Sequence, residues 1–259
     1  MKNILFLILI AANLGEGTLF AAPGAWTDDG LFSLSTGFDN GSGKYGITNS
    51  SDMLSTPVAG EYESGHLMIN VAIPYVQIFG PIDIAPRVGQ SKGKEASNET
   101  YFGLGDALAA AASYNLYYGR ASTFGVDLTG KVKLNTTVKS LGSVQNDYAA
   151  QADAYQSFNK FTALGSMGYK VLSIPTGISM NKVLYGSFGG AYQLDDNTNG
   201  GVDLNLSQNP SISGEGHREL SAYVSHKISK NFKAKGYVLK GFSNGSPDSS
   251  LGAQVYYGF

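Results

Sequence analysis

From Leu31 onward the chain alternates apolar and polar residues with a period of two, in one segment after another. Successive side chains of an extended strand point to opposite faces, so this pattern makes strands with one apolar and one polar face. Phe124, Val126, Leu128, Val132 and Leu134 alternate with Asp127, Thr129, Lys131 and Lys133. Leu67, Ile69, Val71, Ile73 and Tyr75 alternate with His66, Met68, Asn70 and Ala72. Strands are expected near 31–39, 55–63, 66–76, 104–116, 122–134, 146–157, 160–171, 182–194, 201–207, 218–228, 231–241 and 250–259, an even number of twelve. Glycine, tyrosine and phenylalanine, at 34, 16 and 13 residues, favour turn-rich strands.

Two architectures accept such strands: a soluble sandwich, with apolar faces packed together, and a membrane barrel, with apolar faces toward lipid. The connectors separate them. "SG", "NK" and "SKN" are tight and "YYGRAS" and "DDNTN" somewhat longer. Between them come long stretches rich in Gly, Ser, Asn and Pro: "NGSGKYGITNSSDML", "GPIDIAPRVGQSKGKEASNETYFG", "NTTVKSLGSVQ", "SIPTGISMN", "SQNPSISGEGH" and "FSNGSPDSS". Short and long connectors alternate, as in a barrel with a periplasmic and an external end. Charged residues are only 15% of the chain, against about 25% in soluble proteins. No internal stretch has the ~18 apolar residues of a transmembrane helix. The expected fold is all-β: an antiparallel transmembrane β-barrel of about twelve strands.

The segment "MKNILFLILIAANLGEGTLFAAPGAW" places Lys2 before the apolar stretch Ile4 to Ala12, with small residues at Ala21 and Ala22. That is the layout of a secretory signal peptide. The expected organisation is a signal peptide over 1–21 and a single barrel domain over 22–259. Cysteine is absent, which excludes a disulfide framework. The net charge of -2 gives no basic field for nucleic acid. Middles of the outward faces are nearly free of charge. Inward positions hold Glu61, Asp127, Lys131, Lys133, Asp153, Lys170, Asp203, Glu219, Lys233 and Lys235, the candidate lumen residues. Their structural role is mutual charge compensation, and the same network would set the polarity and width of a pore. Because "NTTVKSLGSVQ" joins their strands, Lys131 is expected opposite Asp153, keeping Asp153 clear of Asp127.

Chemical motifs are weak. "GSFGGAY" and "GLGDAL" match neither a Rossmann nor a P-loop fingerprint, and glycine on curving barrel strands explains them better. His66, His217 and His226 lie on separate elements, so no metal site and no cofactor is expected. Ser225 and His226 are adjacent in a strand and point to opposite faces, which counts against a lipid hydrolase. No enzyme is expected.

Nearly the whole mature chain resembles bacterial outer-membrane transporters grouped with the meta-pathway phenol-degradation barrel family. The matching stretches include "FSLSTGFDNGSGKYG", "INVAIPYVQIFGP", "GLGDALAAAASYNL", "DLTGKVKL", "NDYAAQADAYQSF" and "VLYGSFGGAYQL". The most specific is "RELSAYVSHKISKNFKAKGYVLKGFSNGSPDSSLGAQVYYGF". The resemblance implies an outer-membrane location and transport of small solutes, hydrophobic or aromatic compounds among them. Tyr257 and Phe259, in an outward stripe with Leu251, Ala253 and Val255, resemble the signal read by the barrel assembly machinery. Expected partners are therefore outer-membrane lipid, that machinery and a small-molecule solute. The alternative functions are a structural or interaction barrel with a filled interior and, more weakly, an outer-membrane lipid hydrolase.

Overall fold

The computed structural model describes residues 8–9, 20–21, 31–44, 50–79, 100–104, 107–118, 124–135, 146–172, 182–208 and 215–259. Twelve antiparallel strands form the wall. They are β1 (Leu31–Gly43), β2 (Ser51–Ser64), β3 (Leu67–Phe79) and β4, in two segments, Thr100–Leu104 and Ala107–Tyr118. Then follow β5 (Phe124–Asn135), β6 (Asp147–Phe158), β7 (Phe161–Val171) and β8 (Lys182–Gln193). Last are β9 (Thr198–Ser207), β10 (His217–Lys227), β11 (Phe232–Gly241) and β12 (Ser249–Gly258). Each strand pairs with its sequence neighbours, and β12 pairs with β1, which closes the sheet. A two-residue ladder, Ile8–Leu9 with Phe20–Ala21, forms a separate sheet. The rest of the expected signal peptide, and the connectors 80–99, 119–123, 136–145 and 173–181, fall outside the described residues.

The strand count and the face assignment agree with the sequence reading, and several strands run longer than expected. β1 and β2 run to Gly43 and from Ser51, so much of "NGSGKYGITNSSDML" is strand rather than loop. There Asn40 and Asp52 point outward and are exposed. Asn40 pairs with Leu54 and Asp52 with Phe79, so polar residues interrupt the outward apolar stripe and the alternation that marks a lipid-facing strand is lost while backbone pairing continues. Likewise Thr100–Leu104, of which only Leu104 lies in an expected strand, pairs with β3 over Tyr75–Phe79. Between its two segments β4 carries two more residues than β3.

Two hairpins turn in two residues, Gly65–His66 and Asn159–Lys160. The first residue of each is left-handed, Gly65 at φ 55° and Asn159 at φ 58°. Glycine and asparagine tolerate that region best, and it suits the twist of the flanking strands.

The outer face is apolar. Met167, Phe188 and Leu251 are more than half exposed, and Val58, Leu128, Val202 and Val224 about half. Among the described residues no helix is long and apolar enough to cross a membrane. At one end of the wall Phe32, Phe232, Tyr257 and Phe259 form an aromatic patch over the β12–β1 seam. Ring centroids lie 5.4 Å apart for Phe32–Phe259 and 4.9 Å for both Phe232–Tyr257 and Tyr257–Phe259. The Phe259 amide donates to the Phe32 carbonyl at 3.0 Å. Aromatic girdles of this kind sit at membrane–water interfaces.

The two faces should respond oppositely to charge. Val202→Arg, on the lipid side of β9, is expected to cost about 2–4 kcal/mol of folding free energy in vesicles. Asn205→Asp, on the lumen side of the same strand, should cost much less. Urea unfolding of both variants in phospholipid vesicles checks the contrast.

Candidate functional site

The site is the barrel interior, where rows of side chains follow the strand register. One row runs Ser113, Thr129, Gln151, Gly168, Tyr185 across β4 to β8. A second runs Gly201, Tyr223, Tyr237, Gly252, Asp39 from β9 through β12 to β1.

The register sets tyrosine directly opposite glycine in four places: Tyr155 faces Gly125, Tyr185 faces Gly168, Tyr223 faces Gly201 and Tyr237 faces Gly252. In every case the phenol lies over the glycine. A Cβ added at Gly125, Gly168, Gly201 or Gly252 would sit 2.1, 2.2, 2.5 and 2.3 Å from the nearest ring atom. The missing side chain is therefore the space in which the ring lies against the wall, an aromatic covering a strand glycine. Two of the rings reach beyond the glycine to the next strand. Tyr155 Oη accepts from Asn115 Nδ2 at 3.1 Å, and Tyr237 donates to Asp39.

Lysines form a layer over these rings. Lys131 and Lys170 lie 5.6 and 5.9 Å from the Tyr185 centroid, and Lys233 lies 4.3 Å from that of Tyr256. Lys235 lies between Tyr223 and Tyr237, at 5.1 and 5.3 Å. An ammonium at such distances is attracted by the ring face.

The expected pairing of Lys131 with Asp153 is corrected. Asp153 stands directly opposite Asp127, Lys131 opposite Ala149, and Lys133 opposite Asp147. The two registers differ by four residues, so both keep the same residues outside, and the hydrophobic pattern cannot separate them. The facing carboxylates are held by donors instead. Asn115 Nδ2 donates to Asp127 Oδ1 at 2.5 Å. Thr129 Oγ1 donates to Asp153 Oδ2 at 3.3 Å and Gln151 Nε2 to Asp153 Oδ1 at 2.5 Å. Ser113 lies 2.8 Å from Thr129 and supplies it with a proton, since the Thr129 hydroxyl hydrogen is used on Asp153. Lys131 Nζ donates to Gln151 Oε1 at 2.6 Å, so its charge reaches Asp153 through one amide. A bulge at Leu116 puts Asn115 opposite Asp127 while Tyr117 faces Val126.

All ten candidate lumen residues lie on the inward face, but they form separate groups. Asp127, Lys131 and Asp153 share the network just described, and Lys170 joins it over Tyr185. Glu61 faces Asn70, Asp203 leans over Gly189, and Glu219 Oε1 lies 3.8 Å from His217 Nδ1. Lys233 and Lys235 cover the tyrosines of β10 to β12. Asp39, which accepts from Ser250 at 3.0 Å as well as from Tyr237, is a member that sequence reasoning missed, as are Asn115, Gln151 and the tyrosines. Their signal was present in the alternation, since all of them fall on the polar face.

Ser225 points inward and donates to the Ala234 carbonyl at 3.3 Å, whereas His226 points outward, 2.9 Å from Thr198 Oγ1. The two do not form a nucleophile and base. Among the described residues no group of three His, Cys, Asp or Glu side chains could hold a metal ion.

A closed antiparallel barrel with an apolar outside and a charged, hydrogen-bonded inside is a transmembrane β-barrel of the outer-membrane type. No protein-family model and no curated protein matches the chain. Solved structures do. An outer membrane channel from Pseudomonas putida F1 superimposes with a TM-score of 0.68 at 10% identity, covering 93% of this chain and 100% of that one. The NanC porin gives 0.57 at 8% identity, covering 87% and 98%. The KdgM porin gives 0.51 at 12% identity, covering 88% and 99%. At these identities the likeness is one of fold.

The network predicts unequal roles for its two acids. Asp153→Asn turns an acceptor into a donor facing Thr129 or Gln151 and should cost about 1–3 kcal/mol. Asp127→Asn keeps an acceptor for Asn115 and removes one of two facing charges, so stability should hold or rise. Urea midpoints of the two variants in vesicles decide this.

Proposed function

We propose that the protein is an outer-membrane channel that passes small solutes through its lumen. The observation that carries this reading is the composition of the inner wall. Its acids and lysines are distributed over many strands, and its large rings are laid against the backbone rather than across the lumen. A lining of charged side chains and fixed dipoles is the means by which pores select. The finer reading is that the solutes include hydrophobic or aromatic compounds, as the resemblance to the phenol-degradation barrel family implies. Outer-membrane lipid would surround the apolar face, and Tyr257 and Phe259 would be read by the barrel assembly machinery.

A second reading, a barrel whose interior is filled, is favoured by burial. Gln151, Asp127 and Lys235 are only 1, 2 and 3% exposed although they face the lumen. Planar-bilayer recordings of the refolded mature protein separate the two. Discrete conductance steps support the channel, and their absence in folded, heat-modifiable protein supports the filled barrel.

Selectivity gives a sharper test. Lys131→Ala should move the reversal potential in a salt gradient toward cations and Asp153→Asn toward anions. Unchanged selectivity in both variants, with conductance intact, would remove these groups from the conduction path. Comparing phenolic with sugar solutes in vesicle-swelling rates tests the solute class, with faster phenolic entry expected.

A further inference from the structure

The four tyrosine–glycine pairs are spread over both sides of the barrel, at β5–β6, β7–β8, β9–β10 and β11–β12. All four rings are buried, Tyr155 at 3% exposure and Tyr185, Tyr223 and Tyr237 at 7%. Glycine weakens a strand interior by its entropy and its lack of packing, so a repeated inward glycine needs a local reason. Inward Gly37 and Gly189 face Gln254 and Asp203 instead, so barrel curvature can account for a glycine but not for the tyrosine opposite each of these four. The geometry supplies the reason: each glycine leaves open the volume that the opposing phenol occupies. Behind that volume is backbone, which cannot yield. With a Cβ in place, the ring's free course is rotation about its own side-chain bonds, away from the wall and into the lumen.

We infer that Gly125, Gly168, Gly201 and Gly252 set the bore of the channel, by giving Tyr155, Tyr185, Tyr223 and Tyr237 a place against the wall. This rests on the channel reading. The glycines are positioning residues: they keep the rings against the wall, out of the bore and beneath the lysines. Lys131 and Lys170 lie over Tyr185, and Lys235 over Tyr223 and Tyr237. Displacing one ring therefore also moves charge.

The Gly168–Tyr185 pair is the place to test it, since two lysines, Lys131 and Lys170, both lie over that ring. Gly168→Ala is expected to lower single-channel conductance to roughly half or less, because transport depends steeply on pore diameter. The double variant Gly168→Ala with Tyr185→Ser should recover it. A purely structural glycine would lower stability without this rescue of conductance. Nitration of Tyr185 by tetranitromethane, read by mass spectrometry, is the second measurement and needs no ion flow. It should be slow in the parent protein and rise in Gly168→Ala. Conductance and nitration both unchanged in the folded variant would overturn the inference and leave the channel reading standing. Increased nitration with unchanged conductance would also overturn it, by placing the ring outside the conduction path. A parent protein that never conducts, with nitration still increased by Gly168→Ala, would remove the channel reading while supporting the ring displacement. Should Gly168→Ala not fold, Gly201→Ala, with Tyr223 as the reporter, carries the same outcomes.

Discussion

A peptide group in hydrocarbon has no water to bond with, and each one left unpaired costs several kcal/mol. Every other feature of this chain follows from meeting that demand with strands. Pairing must go all the way round, so β12 returns to β1 and the sheet has no edge. Closure then divides the side chains into two populations that obey opposite rules. Those outside must be apolar because lipid solvates them. Those inside are confined with one another, and their polar atoms must be satisfied by neighbours or by water.

The interior meets this second rule mainly through neutral intermediaries. Asp127 and Asp153 are like charges set side by side, an arrangement that costs stability between bare carboxylates. Here an asparagine amide, a glutamine amide and a threonine hydroxyl direct hydrogens at them, and a lysine charge arrives through the glutamine. Hydrogen bonds to charged acceptors are the stronger kind, and in a site of reduced dielectric they count for more. A lumen built this way keeps its charges while holding each side chain in one place. A pore whose electrostatics are to be reproducible needs that order.

The sequence made the faces legible and left the register open. Alternation carries only parity, and it assigned all ten charged lumen candidates to the correct side. Sliding β6 by four residues against β5 leaves parity intact, so charge pairing had to decide, and it chose Asp153 opposite Lys131. That rule omits Asn115, Thr129 and Gln151, whose donors make the Asp127–Asp153 pairing tolerable. The tyrosine–glycine pairs were hidden for the same reason, since a glycine's partner is unknown until the register is known. Strand ends were lost for a different one. Asn40 and Asp52 break the outward apolar stripe, so the periodic signal ends before the ladder does.

Tyr237 and Ser250 both bond to Asp39, joining positions 198 and 211 residues apart in the chain. Hairpins between sequence neighbours close short loops, whereas this contact closes nearly the whole chain and belongs among the slowest to form. Until β1 meets β12, Asp39 lacks both of these donors. The last step of closure therefore brings backbone pairing and a carboxylate's hydrogen bonds at once. A partly open barrel lacks both together, so the seam behaves as a latch, either engaged or released, with little stability at intermediate openings.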